Sequence, residues 1–95
     1  MQNPNANRYI VFAIQKGKDN KVAYFGFFDN GKDALSLAQK TARKPWQHNI
    51  RPGVFVYDNH YNHVIAGFQE TGSIKDKYEL KKHDKMWCHV NGWPR

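Results

Sequence analysis

Apolar residues fall into blocks along this chain, and the period of the blocks changes partway. Tyr9 to Ile14 is a continuous apolar run rich in β-branched and aromatic residues, and Val22 to Phe28, VAYFGFF, is a second. Runs of this length and composition read as strands. The intervening QKGKDNK carries Gly17 and the Asp19-Asn20 pair, which tolerate positive φ, so the two runs are expected to close as an antiparallel hairpin with a basic tip at Lys16, Lys18 and Lys21. Over DNGKDALSLAQKTARKP the period becomes helical: Ala34, Leu37, Ala38, Thr41 and Ala42 recur at i, i+3, i+4, i+7 and i+8 and share one face. Asn30 is placed to cap the helix, and Asp33 puts a carboxylate at the positive end of its dipole. Arg43 and Lys44 suit a last turn, and Pro45 restricts the residue before it, so the helix is expected over about 31–44.

Beyond a loop holding Trp46 and Pro52, Val54 to Tyr57 and Val64 to Phe68 flank DNHYN, a turn-forming stretch, and predict a second hairpin. The expected fold class is therefore α+β: an antiparallel sheet of ββαββ order with the helix packed on one face. From Gly72 onward the pattern is ambiguous. KYELK alternates like a strand but also fits a helix, whereas MWCHV alternates more clearly, which predicts a C-terminal β-hairpin or extended segment. Residues 1–7 are expected to form a disordered tail and 8–95 a single α+β domain, since no repeat or linker interrupts the chain.

Composition narrows the functional classes. The chain has 95 residues, 40% of them hydrophobic and 15% aromatic, which suits one small folded domain. No apolar run approaches the roughly 18 residues that a membrane span needs, and MQNPNANRYI lacks the layout of a signal peptide, so a soluble, cytoplasmic protein without a membrane partner is expected. The single cysteine, Cys88, excludes an intramolecular disulfide and an all-thiolate zinc site. A formal charge of +7 favours an acidic partner. That charge is concentrated in KTARKPWQHNIRP, where Lys40, Arg43, Lys44 and Arg51 occur with no carboxylate and with Trp46 and His48 interleaved. Farther on, Lys75, Lys77, Lys81, Lys82 and Lys85 are threaded with acidic residues, as on a solvated face.

Mobile cations bind phosphates and a flat ring stacks on a base, so the cationic-aromatic loop is the leading candidate site. Its plainer reading is that Arg43 and Lys44 complement the helix C-terminus while Trp46 plugs the edge of the core. The sheet offers a second candidate, because Tyr9, Phe12, Tyr24, Phe25, Phe27, Phe28, Phe55, Tyr57 and Phe68 exceed what one helix can cover. Strict alternation sends Phe25 and Phe27 to one face and Tyr24 and Phe28 to the other. Rings left on the uncovered face would form a stacking platform, unless residues 74–93, with Trp87 and Trp93, fold back over it.

Other chemistry is weakly signalled. His60, His63, His83, Cys88 and His89 include zinc-ligand types, but the hairpin spacing does not make them converge, and no metal or other cofactor is expected. Cys88 lacks a histidine on its own face, and no nucleophile elbow or phosphate-binding glycine loop is present, so no enzyme activity is expected. The opening ββα with Tyr9-Ile10 and Tyr24-Phe25-Gly26 slightly resembles the core of the GIY-YIG nucleases over less than half the chain. It departs from that pattern at Arg8, where the motif has glycine. The helix has no arginine near its start, and only Glu70 or Glu79 follows as a metal-binding glutamate, so nuclease activity does not follow.

The sequence thus predicts a small, basic, non-enzymatic nucleic-acid-binding domain. Its expected site residues are Lys40, Arg43, Lys44, Trp46, His48 and Arg51, extended by Lys16, Lys18 and Lys21 if the first hairpin tip lies alongside. The alternative is a small effector, of the kind phages and other mobile elements encode, that binds and inhibits a host protein or nucleoprotein complex. Its target would be an acidic or nucleic-acid-binding protein, with Trp46, Trp87 or Trp93 as the anchor. DNA versus RNA and the oligomeric state are open at this point.

Overall fold

The computed structural model describes residues 8–17, 22–61, 63–76 and 80. The elements are β1 (Tyr9–Ile14), β2 (Val22–Phe28), α1 (Gly31–Ala42), a 3-10 turn (Pro45–Gln47), β3 (Val54–Asp58), β4 (His63–Gln69) and β5 (Gly72–Ser73). Together the strands form one five-stranded antiparallel sheet in the order β2-β1-β3-β4-β5. The expected α+β architecture, an antiparallel sheet with one helix, is present, but the ββαββ order stops one strand short. Gly72–Ser73 pairs with Phe68 and Gln69, and so short a polar segment leaves no period-two apolar signature. The C-terminal hairpin and the tail at 1–7 fall outside the described residues.

Because β1 pairs with both β2 and β3, the connection from β2 through α1 to β3 passes over β1. That crossover lays the helix on one face of the sheet. Ala34, Ala38 and Ala42 are at most 1% exposed, and these small side chains bring α1 close to Val11, Ala13, Val54, Val56 and Phe68. Asn30 caps α1 as expected, its Oδ1 accepting from the Lys32 N–H at 2.8 Å. The helix ends two residues before Lys44, however. The Arg43 and Lys44 amides reach the Lys40 and Thr41 carbonyls three residues back, and Lys44, preceding Pro45, leaves helical geometry at φ −133°, ψ 63°.

The opposite face is also buried. Ile10, Phe12, Phe55 and Tyr57 are each at most 2% exposed, with Val22, Ile74 and Leu80 packed against them. An open platform of rings over the sheet centre is therefore absent. Gly67 makes room for this second layer, because a Cβ there would come within 2.8 Å of both the Phe55 ring and Leu80. The Leu80 N–H donates to the Asp76 carbonyl at 3.2 Å, an i→i−4 bond.

A β-bulge in β2 overturns the expected alternation of its rings. The β1–β2 register passes from Val11 opposite Gly26 to Phe12 opposite Tyr24, leaving Phe25 as the extra residue. Opposite residues share a face, so Tyr24 and Phe27 both lie on the face away from α1, while Phe25 and Phe28 pack on the helix side. Tyr24 and Phe27 stack with ring centroids 5.7 Å apart and are about 40% exposed.

Candidate functional site

The cationic loop runs from the end of α1 to the start of β3 and lies against the end of β1. Residues 45–47 form a single 3-10 turn closed by Gln47 N–H to Lys44 carbonyl and His48 N–H to Pro45 carbonyl bonds, each 3.1 Å. Pro45 is buried at the base of this turn. Trp46, the next residue, is 60% exposed, and among the described residues its indole has neither a ring partner nor a hydrogen-bond partner. It does not plug the core edge.

Asn49 adopts φ +53°, a left-handed conformation that asparagine tolerates, and this reversal returns the chain to β1. The Asn49 carbonyl accepts from the Lys16 N–H at 3.0 Å, and the Arg51 N–H donates to the Ile14 carbonyl at 2.8 Å. Gln15 and Ile50 form an antiparallel bridge between these two bonds, and Ile50 is buried. The backbone of Lys16 is thereby held alongside the loop. Lys18 and Lys21 lie outside the described residues. Asn49 was not among the residues singled out, although its place in HNIRP carries the signal of a residue that tolerates positive φ.

Lys16, Lys40, Arg43, Lys44 and Arg51 are all exposed. Among the described residues none of them pairs with a carboxylate. His48 differs from these cations in that its ring meets Phe25 edge-on at 5.3 Å, so it braces the loop against β2. The loop segment thus carries exposed, unpaired cations on both sides of a bare indole in sequence, and backbone bonds tie its far end to β1.

A different constellation occupies the other end of the sheet. Arg8, just before β1, forks onto Asp58 at the end of β3, with Nε to Oδ1 and Nη2 to Oδ2 both 3.2 Å. Asp58 is 2% exposed, and its Oδ1 also accepts from the His60 N–H at 2.8 Å. Burial pushes the Asp58 carboxyl up, but the Arg8 hydrogen bond, the His60 N–H, the Arg8 charge and the Tyr61 N–H outweigh it and hold the group below its ordinary value. The hydrogen bond to Asp58 is the main cause that raises Arg8 in turn. The Arg8 guanidinium also sits 5.1 Å from the Tyr9 ring centroid and 5.4 Å from that of Tyr61. Sequence reasoning placed no function here, since the two partners are 50 residues apart.

His60 and His63 both contact the Tyr61 ring, His60 edge-on at 4.7 Å and His63 stacked at 6.0 Å. Among the described residues no group of three or more His, Cys, Asp or Glu side chains gathers to hold a metal ion. His83, Cys88 and His89 are outside the described residues. No helix among the described residues is long and apolar enough to cross a membrane. Compared with known protein families, with curated proteins and with solved structures, the chain matches none of them.

Proposed function

We propose that the loop end of the sheet binds nucleic acid without catalysing a reaction on it. The observation that carries this reading is that Lys16, Lys40, Arg43, Lys44 and Arg51 are exposed and unpaired among the described residues, on a loop and the strand end bonded to it, with Trp46 exposed on the same loop. Cations held outside the core, with no carboxylate to satisfy them, are free to replace the counterions condensed on a phosphate backbone. Arg43 and Lys44 precede the turn and Arg51 follows it in the chain, and Lys16 is bonded through its backbone to Asn49 after the turn, so a strand crossing Trp46 is expected to meet positive charge before and after the ring. His48 contributes by bracing the loop. A cytoplasmic location belongs to the same reading.

The test is fluorescence anisotropy of labelled DNA and RNA at about 50 and 200 mM salt, with wild type and the Arg43→Ala/Lys44→Ala double variant. Loss of two phosphate contacts is expected to weaken binding to every sequence and to reduce the log–log salt slope by about 1.4–1.8. Unchanged affinity and slope in the double variant would remove the loop from the binding surface.

A second reading, a protein-binding effector that occupies or blocks a host factor, is favoured by the exposed Tyr24 and Phe27 stack on β2, which lies at one edge of the described sheet. Edge strands recruit partner chains, and exposed aromatic pairs anchor them. Retention of one host protein after nuclease treatment, lost in Tyr24→Ser/Phe27→Ser, is the outcome this reading expects. A raised 260/280 nm absorbance ratio in the purified protein, abolished by nuclease, favours the first.

A further inference from the structure

Trp46 combines three properties that rarely coincide. It is 60% exposed, it has no ring or hydrogen-bond partner among the described residues, and its backbone is fixed by the 3-10 turn above buried Pro45. With the backbone held, only the two side-chain torsions of Trp46 have to settle when a flat ligand covers the ring. The His48 contact with Phe25 and the Lys16–Asn49 and Arg51–Ile14 bonds hold the remainder of the loop.

Among the described elements, α1 lacks the parts that duplex readers use. A major-groove helix lays base-reading and phosphate-binding side chains along its outer face. The exposed positions of α1 are Lys32, Asp33, Ser36, Gln39 and Lys40, which carry one net charge, and its N-terminus is already capped by Asn30. Among the described residues, Lys40, Arg43, Lys44 and Arg51 lie instead at and past the C-terminal end of the helix, in the segment that carries Trp46. In a duplex the faces of the bases are hidden by stacking, and an inserted ring must first unstack a step. In a single strand those faces are open to an aromatic side chain.

Resting on the nucleic-acid reading above, we infer that this site takes single-stranded nucleic acid in preference to duplex, with one base seated on the Trp46 indole and the neighbouring phosphates held by Arg43 and Lys44 on one side and Arg51 and Lys16 on the other. RNA and DNA offer the same stacking face and the same phosphates, so both are probed. No base identity is read, because the described loop presents a stacking surface with cations and no buried polar side chain to pair with a base edge.

The experiment measures anisotropy with labelled oligo(U), oligo(dT) and a mixed-sequence duplex against wild type, Trp46→Phe, Trp46→Ala and Arg43→Ala/Lys44→Ala. Trp46 is exposed, so its variants are expected to keep the wild-type melting temperature, and a melt of each confirms it. The single strands should bind at least about tenfold tighter than the duplex. Trp46→Ala should lose about 5- to 150-fold in single-strand affinity with the salt slope unchanged, while Trp46→Phe keeps most of it. Equal or tighter duplex binding, or a Trp46→Ala variant that binds single strands as wild type does, overturns the single-strand inference. In that case a weakened Arg43→Ala/Lys44→Ala variant still leaves the nucleic-acid reading standing. If none of the three probes binds at physiological salt, both fall together.

Discussion

Arg8 and Arg51 stand at opposite ends of β1, and they are used in opposite ways. Arg8 is committed: Asp58 takes both of its forked donors, and the Tyr9 and Tyr61 rings lie within cation–π range. Arg51 is anchored by its backbone, through the Ile14 carbonyl, and its side chain is exposed and, like Lys40, Arg43 and Lys44 of the same segment, unpaired among the described residues. Formal charge counts both residues alike. The structure separates a charge that ties β1 to β3 from charges that have no partner among the described residues.

The sharpest way to break this contrast is Asp58→Ala. It deprives Arg8 of its partner and leaves the His60 and Tyr61 amides without their acceptor, all around a carboxylate that is 2% exposed. Loss of a buried, charged acceptor costs several kcal/mol. Arg8 is 41% exposed and can rehydrate, so about 2–4 kcal/mol is expected from urea unfolding, with m unchanged. A cost below about 0.5 kcal/mol, the scatter of ordinary surface changes, would put the two arginines in the same class.

The same pair sets the acid limb of stability. The Asp58 carboxyl titrates below its ordinary value of 3.8, so the unfolded chain binds more protons across that interval and stability falls as pH falls. The contribution is complete above the ordinary value and is lost as pH drops through the folded one. The difference in urea midpoint between wild type and Asp58→Asn should therefore shrink on going from about pH 6 to pH 2. A difference that stays constant, or grows toward acid, would mean the pair is not the origin.

The loop end does hold one stability determinant, and it carries no charge. Gly53 sits at φ +120°, and a Cβ there would come within 3.1 Å of the Phe55 ring. Gly53→Ala combines a strained backbone with a forced shift of a buried ring and is expected to cost about 1–3 kcal/mol, read as a lowered melting temperature. Its nucleic-acid affinity, measured well below that temperature, should move far less than that of Trp46→Ala.

How much of this was legible beforehand follows from the range of each signal. The apolar runs of β1 to β4, the helical face of α1 and the Asn30 cap are local patterns, and each of them is found where the sequence put it, to within two residues. The loop cations and Trp46 were legible for the same reason, since they are neighbours in sequence. What escaped depends on pairing. The Phe25 bulge that brings Tyr24 and Phe27 to one face exists only in the register against β1, and no period-two count of β2 contains it. Asp58 looked like a turn former, which its bond to the His60 amide supports, but its bond to Arg8 requires knowing that β1 lies beside β3. Lys16 reached the loop through that same alignment.

The smallest effect tests whether the loop cations are truly unpaired. Two exposed unit charges about 8 Å apart repel by about 0.5 kcal/mol in water, and at 0.15 M salt most of that is screened. Arg43 and Lys44 also sit at the negative end of α1, where a cation gains about 0.3–1 kcal/mol, so removing them trades one small term against another. Arg51 lies outside the last turn of α1, beyond which the helix-end attraction falls off. Arg51→Gln should therefore raise stability by a few tenths of a kcal/mol at about 10 mM salt and by nothing measurable at about 500 mM, whereas Arg43→Gln/Lys44→Gln should change little at either. Urea midpoints at the two salts separate these cases. Should Arg51→Gln be destabilising by more than about 0.5 kcal/mol at both salts, Arg51 would be held by the fold as Arg8 is, and its charge would not be free for a ligand.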